Sequence, residues 1–191
     1  MKILLIGHGR CGSSSLHYAL ADVLNLEKII EPFNIDLWQN NYKKEPPYKF
    51  DDKVKDNTIF KCITWHTHNN ILVELSKQFD RVILIARKNI RETMESAYYA
   101  EQYGYNNPYR STDDFIPKVI ADGVLENYYK IFELSYGLGE EVLWYEDLCN
   151  DYDISFKSIQ KLYLGITEEQ FNKMWKNYLN PKFRLRKVSK H

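Results

Sequence analysis

Apolar positions along the chain fall into two alternating kinds of run. Short, mostly apolar runs at 3–6, 58–65 and 81–86 have the length and composition of strands buried on both faces. Between them come stretches whose apolar residues return every three or four positions. Leu16, Ala19, Leu20, Val23 and Leu24 stand at i, i+3, i+4, i+7 and i+8, which predicts a helix with one face packed on a sheet. The same spacing predicts helices over 69–79, 89–103 and 115–138, the last tolerating Gly123 at some cost. A short second strand is expected at 28–31, a last one at 141–145, and two more helical stretches beyond it. The second of these opens with Thr167-Glu168-Glu169-Gln170, the form of a capping box. Strand 58–65, helix 69–79 and strand 81–86 make a βαβ unit, expected to be right-handed. Together the runs predict an α/β protein of three-layer α/β/α form with a mostly parallel central sheet. Positions 34–57, rich in Tyr, Lys, Pro and Asp, break the pattern and read as an irregular excursion, a candidate flap over a binding site.

Composition narrows this picture. A chain of 191 residues with 44% apolar and 27% charged residues suits one domain over 1–191, and a second would be cramped. Basic and acidic residues each number 26, so no overall field draws the chain to nucleic acid or to an anionic membrane. Any basic site must be local. Cys11, Cys62 and Cys149 are widely spaced and odd in number, which fits a reducing compartment better than a disulfide framework or a zinc site. The first apolar run is interrupted at once by Gly7-His8-Gly9-Arg10, far short of a signal peptide or membrane span. A soluble, cytoplasmic protein is expected.

The most informative chemistry lies in Gly7-His8-Gly9-Arg10-Cys11-Gly12-Ser13-Ser14-Ser15, directly after the first strand. Against the phosphate-loop pattern G-x-x-x-x-G-K-[ST], Gly7, Gly12 and Ser14 are in place, but Ser13 stands where the lysine belongs. That difference points away from ATP hydrolysis. A strand, a glycine-rich turn and a helix N-terminus still offer backbone N–H groups and a positive dipole end to an anion. In a parallel sheet, ligands gather at the carboxyl ends of the strands. Those positions carry Arg10, then Glu31-Pro32-Phe33, Trp65-His66-Thr67-His68, Arg87-Lys88 and Glu146-Asp147. Each can hold charge or move a proton. His66 and His68 lack a Cys, Asp or Glu at ligand spacing, so no metal is expected there. Glu146 and Asp147 read more economically as a helix cap or sheet-edge salt bridge than as a magnesium site. His8 lines the pocket, and Tyr98, Tyr99, Tyr103, Tyr105 and Tyr109 read mainly as packing residues, a minority able to stack on a sugar or phenol.

Three spaced elements resemble the sulfotransferases that use 3′-phosphoadenosine 5′-phosphosulfate (PAPS). Gly9-Arg10-Cys11-Gly12-Ser13-Ser14-Ser15-Leu16 is similar to that family's 5′-phosphosulfate loop. The strand ending in Arg87-Lys88-Asn89, followed by Ser96 on the next helix, resembles its 3′-phosphate element, and Trp144-Tyr145-Glu146-Asp147-Leu148 another recurrent feature. The resemblance implies a P-loop NTPase-like sulfotransferase fold. It further implies PAPS as donor, adenosine 3′,5′-bisphosphate as product, and no metal. Gly9, Arg10, Cys11, Gly12, Ser13, Ser14 and Ser15 would hold the 5′-phosphosulfate, with Arg10 neutralising charge on the leaving oxygen. Arg87 and Ser96 would converge on the 3′-phosphate, with Arg186 and Lys187 of the late basic segment reaching the same group. Ser96 follows Arg87 by nine positions where many members have eight, Lys88 lies eight before it, and Val188 follows Arg186-Lys187 where a glycine is expected. Ser15 stands where the cytosolic branch has a tryptophan against the adenine. For the general base, Glu31 in Glu31-Pro32 matches the carbohydrate-type branch, whereas His66 or His68, five or seven residues after Lys61, loosely matches the cytosolic branch, which has a histidine shortly after a strand and a lysine. Glu31 is preferred, with His66 next, and a saccharide is the first choice of acceptor for sulfuryl transfer to a hydroxyl or amine. Two alternatives stand beside this one: a P-loop kinase-like phosphotransferase, and a catalytically silent nucleotide-binding module.

Overall fold

The apolar runs become strands β1 (Lys2–Gly7), β2 (Glu27–Ile30), β3 (Thr58–Ile63), β4 (Arg81–Ala86) and β5 (Val142–Trp144). They are seen in a computed structural model that describes residues 1–32, 54–103 and 115–180. All pair in parallel, in the order β2-β3-β1-β4-β5. β1 lies at the centre, with Lys2 opposite Thr58 on one side and Ile3 opposite Arg81 on the other.

Side chains alternate across a strand, so β1 feeds two separate cores. Ile3 and Leu5 join Leu16, Ala19 and Leu20 of α1 (Ser13–Leu24) on one face. Leu4 and Ile6 join Leu72 and Leu75 of α2 (Asn69–Ser76), with Val124, Ile131 and Leu134 of α4 (Lys118–Leu138), on the other. Helices therefore cover both faces of the sheet, consistent with a three-layer α/β/α arrangement. Met94 and Ala97 of α3 (Ile90–Tyr103) pack with the second core. Leu148 of α5 (Tyr145–Cys149), Ile159 of α6 (Tyr152–Gln160) and Phe171 of α7 (Glu168–Met174) belong to the first. A π-helical turn, Trp175–Leu179, continues α7. Among the described residues, no helix is long and apolar enough to cross a membrane.

Several element ends differ from the sequence expectation, each for a local reason. The third strand stops at Ile63 instead of running through 65, because β1 ends at Gly7, directly opposite Ile63. Thr64–His66 form a 3₁₀ turn, pinned by Thr64 Oγ1 donating to Asn127 Oδ1 at 2.7 Å. β2 runs over 27–30 and excludes Glu31, whose φ of 47° turns the chain out of the ladder. α2 ends at Ser76, where Gln78 N–H and Phe79 N–H make tighter bonds to Leu75 O and Ser76 O. α4 starts at 118, because the residue before Pro117 is kept out of helical geometry. β5 stops at Trp144, and Tyr145 already opens a helix. The capping box at Thr167 forms as expected, with Gln170 N–H donating to Thr167 Oγ1 and Thr167 N–H to Gln170 Oε1.

The connections decide where a ligand can sit. The chain leaves β1 to α1 on one face, whereas it leaves β3 and β4 to helices on the other. Adjacent loops therefore diverge on both sides of β1, the topology that in parallel sheets marks the end of Gly7 as the place for a ligand.

Candidate active site

The loop between β1 and α1 turns through two left-handed residues, Arg10 with φ 66° and Gly12 with φ 81°. Gly12 is the N-cap of α1 and has no side chain with which to cap that end, and no acidic residue stands in its first turn. The three serines thus lie inside the helix instead of capping it, and the positive end of α1 lies at the loop after β1. Aromatic rings press on the loop from the residues just after β3 and just after β5, strands that lie on opposite sides of β1 in the sheet order. A Cβ on Gly9 would lie 1.8 Å from Trp65 Cη2, and one on Gly12 would lie 2.2 Å from Tyr145 Cδ2. A side chain at either position would force the facing ring to move, and at Gly12 the positive φ adds backbone strain.

Arg10 reaches across to α3, where its Nε donates to Ser96 Oγ at 2.9 Å. The sequence reading pairs Ser96 with Arg87; the bond in the structure ties Ser96 to Arg10. The Arg87 guanidinium lies over the Tyr145 ring, 4.7 Å from its centroid, and Nη2 is 3.6 Å from Glu92 Oε2. Its Nε is buried and has no hydrogen-bond partner among the described residues.

A residue that the sequence marks only as the lysine ahead of His66 and His68 links the loop to the candidate base. Lys61 lies in β3, all six residues of which are buried. Its Nζ donates to Ser14 Oγ at 2.9 Å and stands 2.5 Å from Glu31 Oε1. Glu31 Oε2 is 4.0 Å from His66 Nδ1, while His66 Nε2 accepts from Trp65 Nε1 at 2.8 Å. Trp65 in turn packs on Gly9. The chain of contacts Ser14, Lys61, Glu31, His66, Trp65, Gly9 therefore leaves the loop after β1 and returns to it. A buried ammonium needs such partners, and one lysine within the apolar run Thr-Ile-Phe-Lys-Cys-Ile was the signal that could have revealed it.

Other predicted residues take supporting places. Cys11 is buried beside the loop, and burial pushes its thiol pKa up. His68 is the N-cap residue of α2, where its carbonyl accepts from Ile71 and Leu72 N–H. Glu146 Oε2 and Oε1 accept from the N–H groups of Lys88 and Asn89, at 2.8 and 3.2 Å, and Asp147 pairs with Lys88 at 2.5 Å. Of the two alternatives for this pair, the salt bridge at the end of β4 is present at Asp147; Glu146 holds backbone N–H groups just ahead of α3, whose first turn is capped by Asn89 Oδ1 accepting from Glu92 N–H at 3.2 Å. Among the described residues, no three His, Cys, Asp or Glu side chains cluster as a metal ion would need. Phe33, Arg186, Lys187, Tyr105, Tyr109 and positions 34–53 of the candidate flap lie outside the described residues.

No model of a known protein family matches the chain, and searches of curated proteins and of solved structures likewise return no match.

Proposed function

We propose that the chain is a PAPS-dependent sulfotransferase of P-loop-like fold. The observation that carries this reading is Lys61, which joins Ser14 of the anion loop at 2.9 Å to Glu31 at 2.5 Å. An anion site and a carboxylate are thereby held one side chain apart, as transfer of an anionic group to a hydroxyl requires. Sulfuryl transfer asks a protein mainly to align donor and acceptor and to neutralise charge on the leaving oxygen. In this reading Arg10, Lys61 and the N-terminus of α1 supply that charge without the loop lysine that Ser13 replaces. Glu31 takes the acceptor proton as the acceptor oxygen bonds to sulfur and the bond from sulfur to the 5′-phosphate oxygen breaks. Adenosine 3′,5′-bisphosphate then leaves.

The Nε2 lone pair of His66 is committed to Trp65, which favours Glu31 as base and leaves His66 as its neighbour. The unpartnered Arg87 Nε supports an anionic ligand at the end of β4, the role assigned to the 3′-phosphate. Similarity of Glu31-Pro32 to the carbohydrate-type branch makes a saccharide hydroxyl the first acceptor to try.

Calorimetric titration with adenosine 3′,5′-bisphosphate and with ADP plus magnesium tests the reading. Tighter binding of the bisphosphate is expected, with a loss of roughly ten- to a hundredfold in Arg87→Ala. Preference for ADP plus magnesium would overturn it in favour of a phosphotransferase. Bisphosphate binding without turnover on any acceptor would leave a silent nucleotide-binding module.

A further inference from the structure

Arg87 is the first residue beyond β4, and both of its backbone polar groups are taken up by side chains from distant elements. Its N–H donates to His8 Nε2 at 3.2 Å, and its carbonyl accepts from Tyr128 Oη at 2.7 Å. His8 comes from the loop after β1 and Tyr128 from α4, and their rings lie against each other with centroids 4.3 Å apart. His8 Nδ1 donates to Gly9 O at 2.7 Å. That bond places the proton on Nδ1 and leaves the Nε2 lone pair facing Arg87 N–H. The tautomer is therefore set by the anion loop itself.

We infer that His8 and Tyr128 are positioning residues that hold Arg87 for its phosphate, coupling the anion loop after β1 to the second anion position after β4. The identity of the phosphate rests on the sulfotransferase reading; the clamp on the Arg87 backbone does not. The ring of His8 is only 1% exposed, so an apolar residue there would bury the Arg87 N–H without an acceptor. Burial holds the His8 pKa down at about 4, so the ring keeps its acceptor through neutral pH. With the backbone fixed at both ends, the guanidinium stays over Tyr145 and its Nε keeps a hydrogen bond to give.

The test compares adenosine 3′,5′-bisphosphate with adenosine 5′-monophosphate in the wild type, His8→Phe and Tyr128→Phe. His8→Phe keeps a ring against Tyr128 but removes the acceptor, and Tyr128→Phe removes one hydroxyl only. Each is expected to lower the bisphosphate preference by roughly three- to tenfold, because loss of a merely structural contact would weaken both ligands alike. Amide hydrogen exchange at Arg87 is followed in parallel and is expected to speed up in His8→Phe. Retained preference and unchanged exchange in both variants overturn the inference. Should the wild type show no bisphosphate preference, the sulfotransferase reading fails. Arg87 exchange together with the His8 tautomer, read from nitrogen-15 spectra, then decides the clamp alone: a neutral Nδ1–H ring and faster exchange support it, and the opposite tautomer or unchanged exchange refutes it.

Discussion

Lys61 Nζ and Glu31 Oε1 form an ion pair 2.5 Å apart, with the lysine side chain 5% exposed and the glutamate 16%. Two charges have been removed from water together, and each is tolerated because the other is present. Removing one partner of such a pair is costly, whereas replacing both often is not. Lys61→Met should therefore destabilise the protein by about 3 kcal/mol, and Glu31→Gln by a comparable amount. Combining them should recover most of the loss. A double-mutant cycle in urea measures this, and strictly additive losses would show that the two residues do not act as a pair.

Trp65 leaves no room for a side chain on Gly9, since an added Cβ would fall 1.8 Å from its ring. Gly9→Ala should displace the indole and change tryptophan emission. Pairing Gly9→Ala with Trp65→Ala should relieve the clash, so the double variant should be less destabilised, relative to Trp65→Ala, than Gly9→Ala is relative to wild type. Equal costs in the two backgrounds would mean that Trp65 is not what excludes the methyl group.

Stability should fall on acidification through the histidines. Burial holds His8 at about 4, below the ordinary 6.5. His17 is likewise held at about 4 by burial while it donates from Nε2 to Ile59 O at 3.1 Å. Both folded-state values lie below the unfolded one, so between pH 4 and 6.5 the unfolded chain binds more protons than the native one. The contribution of each ring is complete above pH 6.5 and is lost as pH falls toward 4, on the order of 3 kcal/mol per ring across the window. Denaturation midpoints at a series of pH values give the slope, which His8→Phe should reduce by about half. A flat profile over that range would contradict both assignments.

Thr167 Oγ1 and Gln170 Oε1 satisfy each other's backbone N–H groups at the start of α7. Thr167→Ala should cost about 1 kcal/mol, and Thr167→Ser should restore most of it. Thermal unfolding of the pair of variants checks this, and an unaffected Thr167→Ala would show that α7 is held by packing alone.

The elements legible in the sequence are those with local or repetitive signatures. The runs at 3–6 and 81–86 read as buried strands because parallel strands covered on both faces need apolar side chains at nearly every position. The capping box read correctly because its donors and acceptors lie within four consecutive residues. The strand at 58–65 was read two residues too long, since the end of its ladder is set by where β1 stops, and nothing in residues 64 and 65 records that. Glu31 and His66 were recognisable as candidates from their places after strands. Lys61 was not, because its meaning depends on Ser14, 47 positions away, and on Glu31.

Sequence alone determined the alternation of strands and helices, the glycine-rich loop at a helix start, and the kinds of charged group at the strand ends. These follow from periodicity and backbone preference, which act over a few residues. Tertiary structure decided the partners: Arg10 with Ser96 across 86 positions, Lys61 with Ser14 and Glu31, and His8 with Arg87 across 79. A side chain's hydrogen bonds and charge compensation depend on distance in space, and the parallel order β2-β3-β1-β4-β5 brings those strand ends to one edge of the sheet. The left-handed turn at Glu31 and the burial of Lys61 then bring carboxylate, ammonium and glycine-rich loop together.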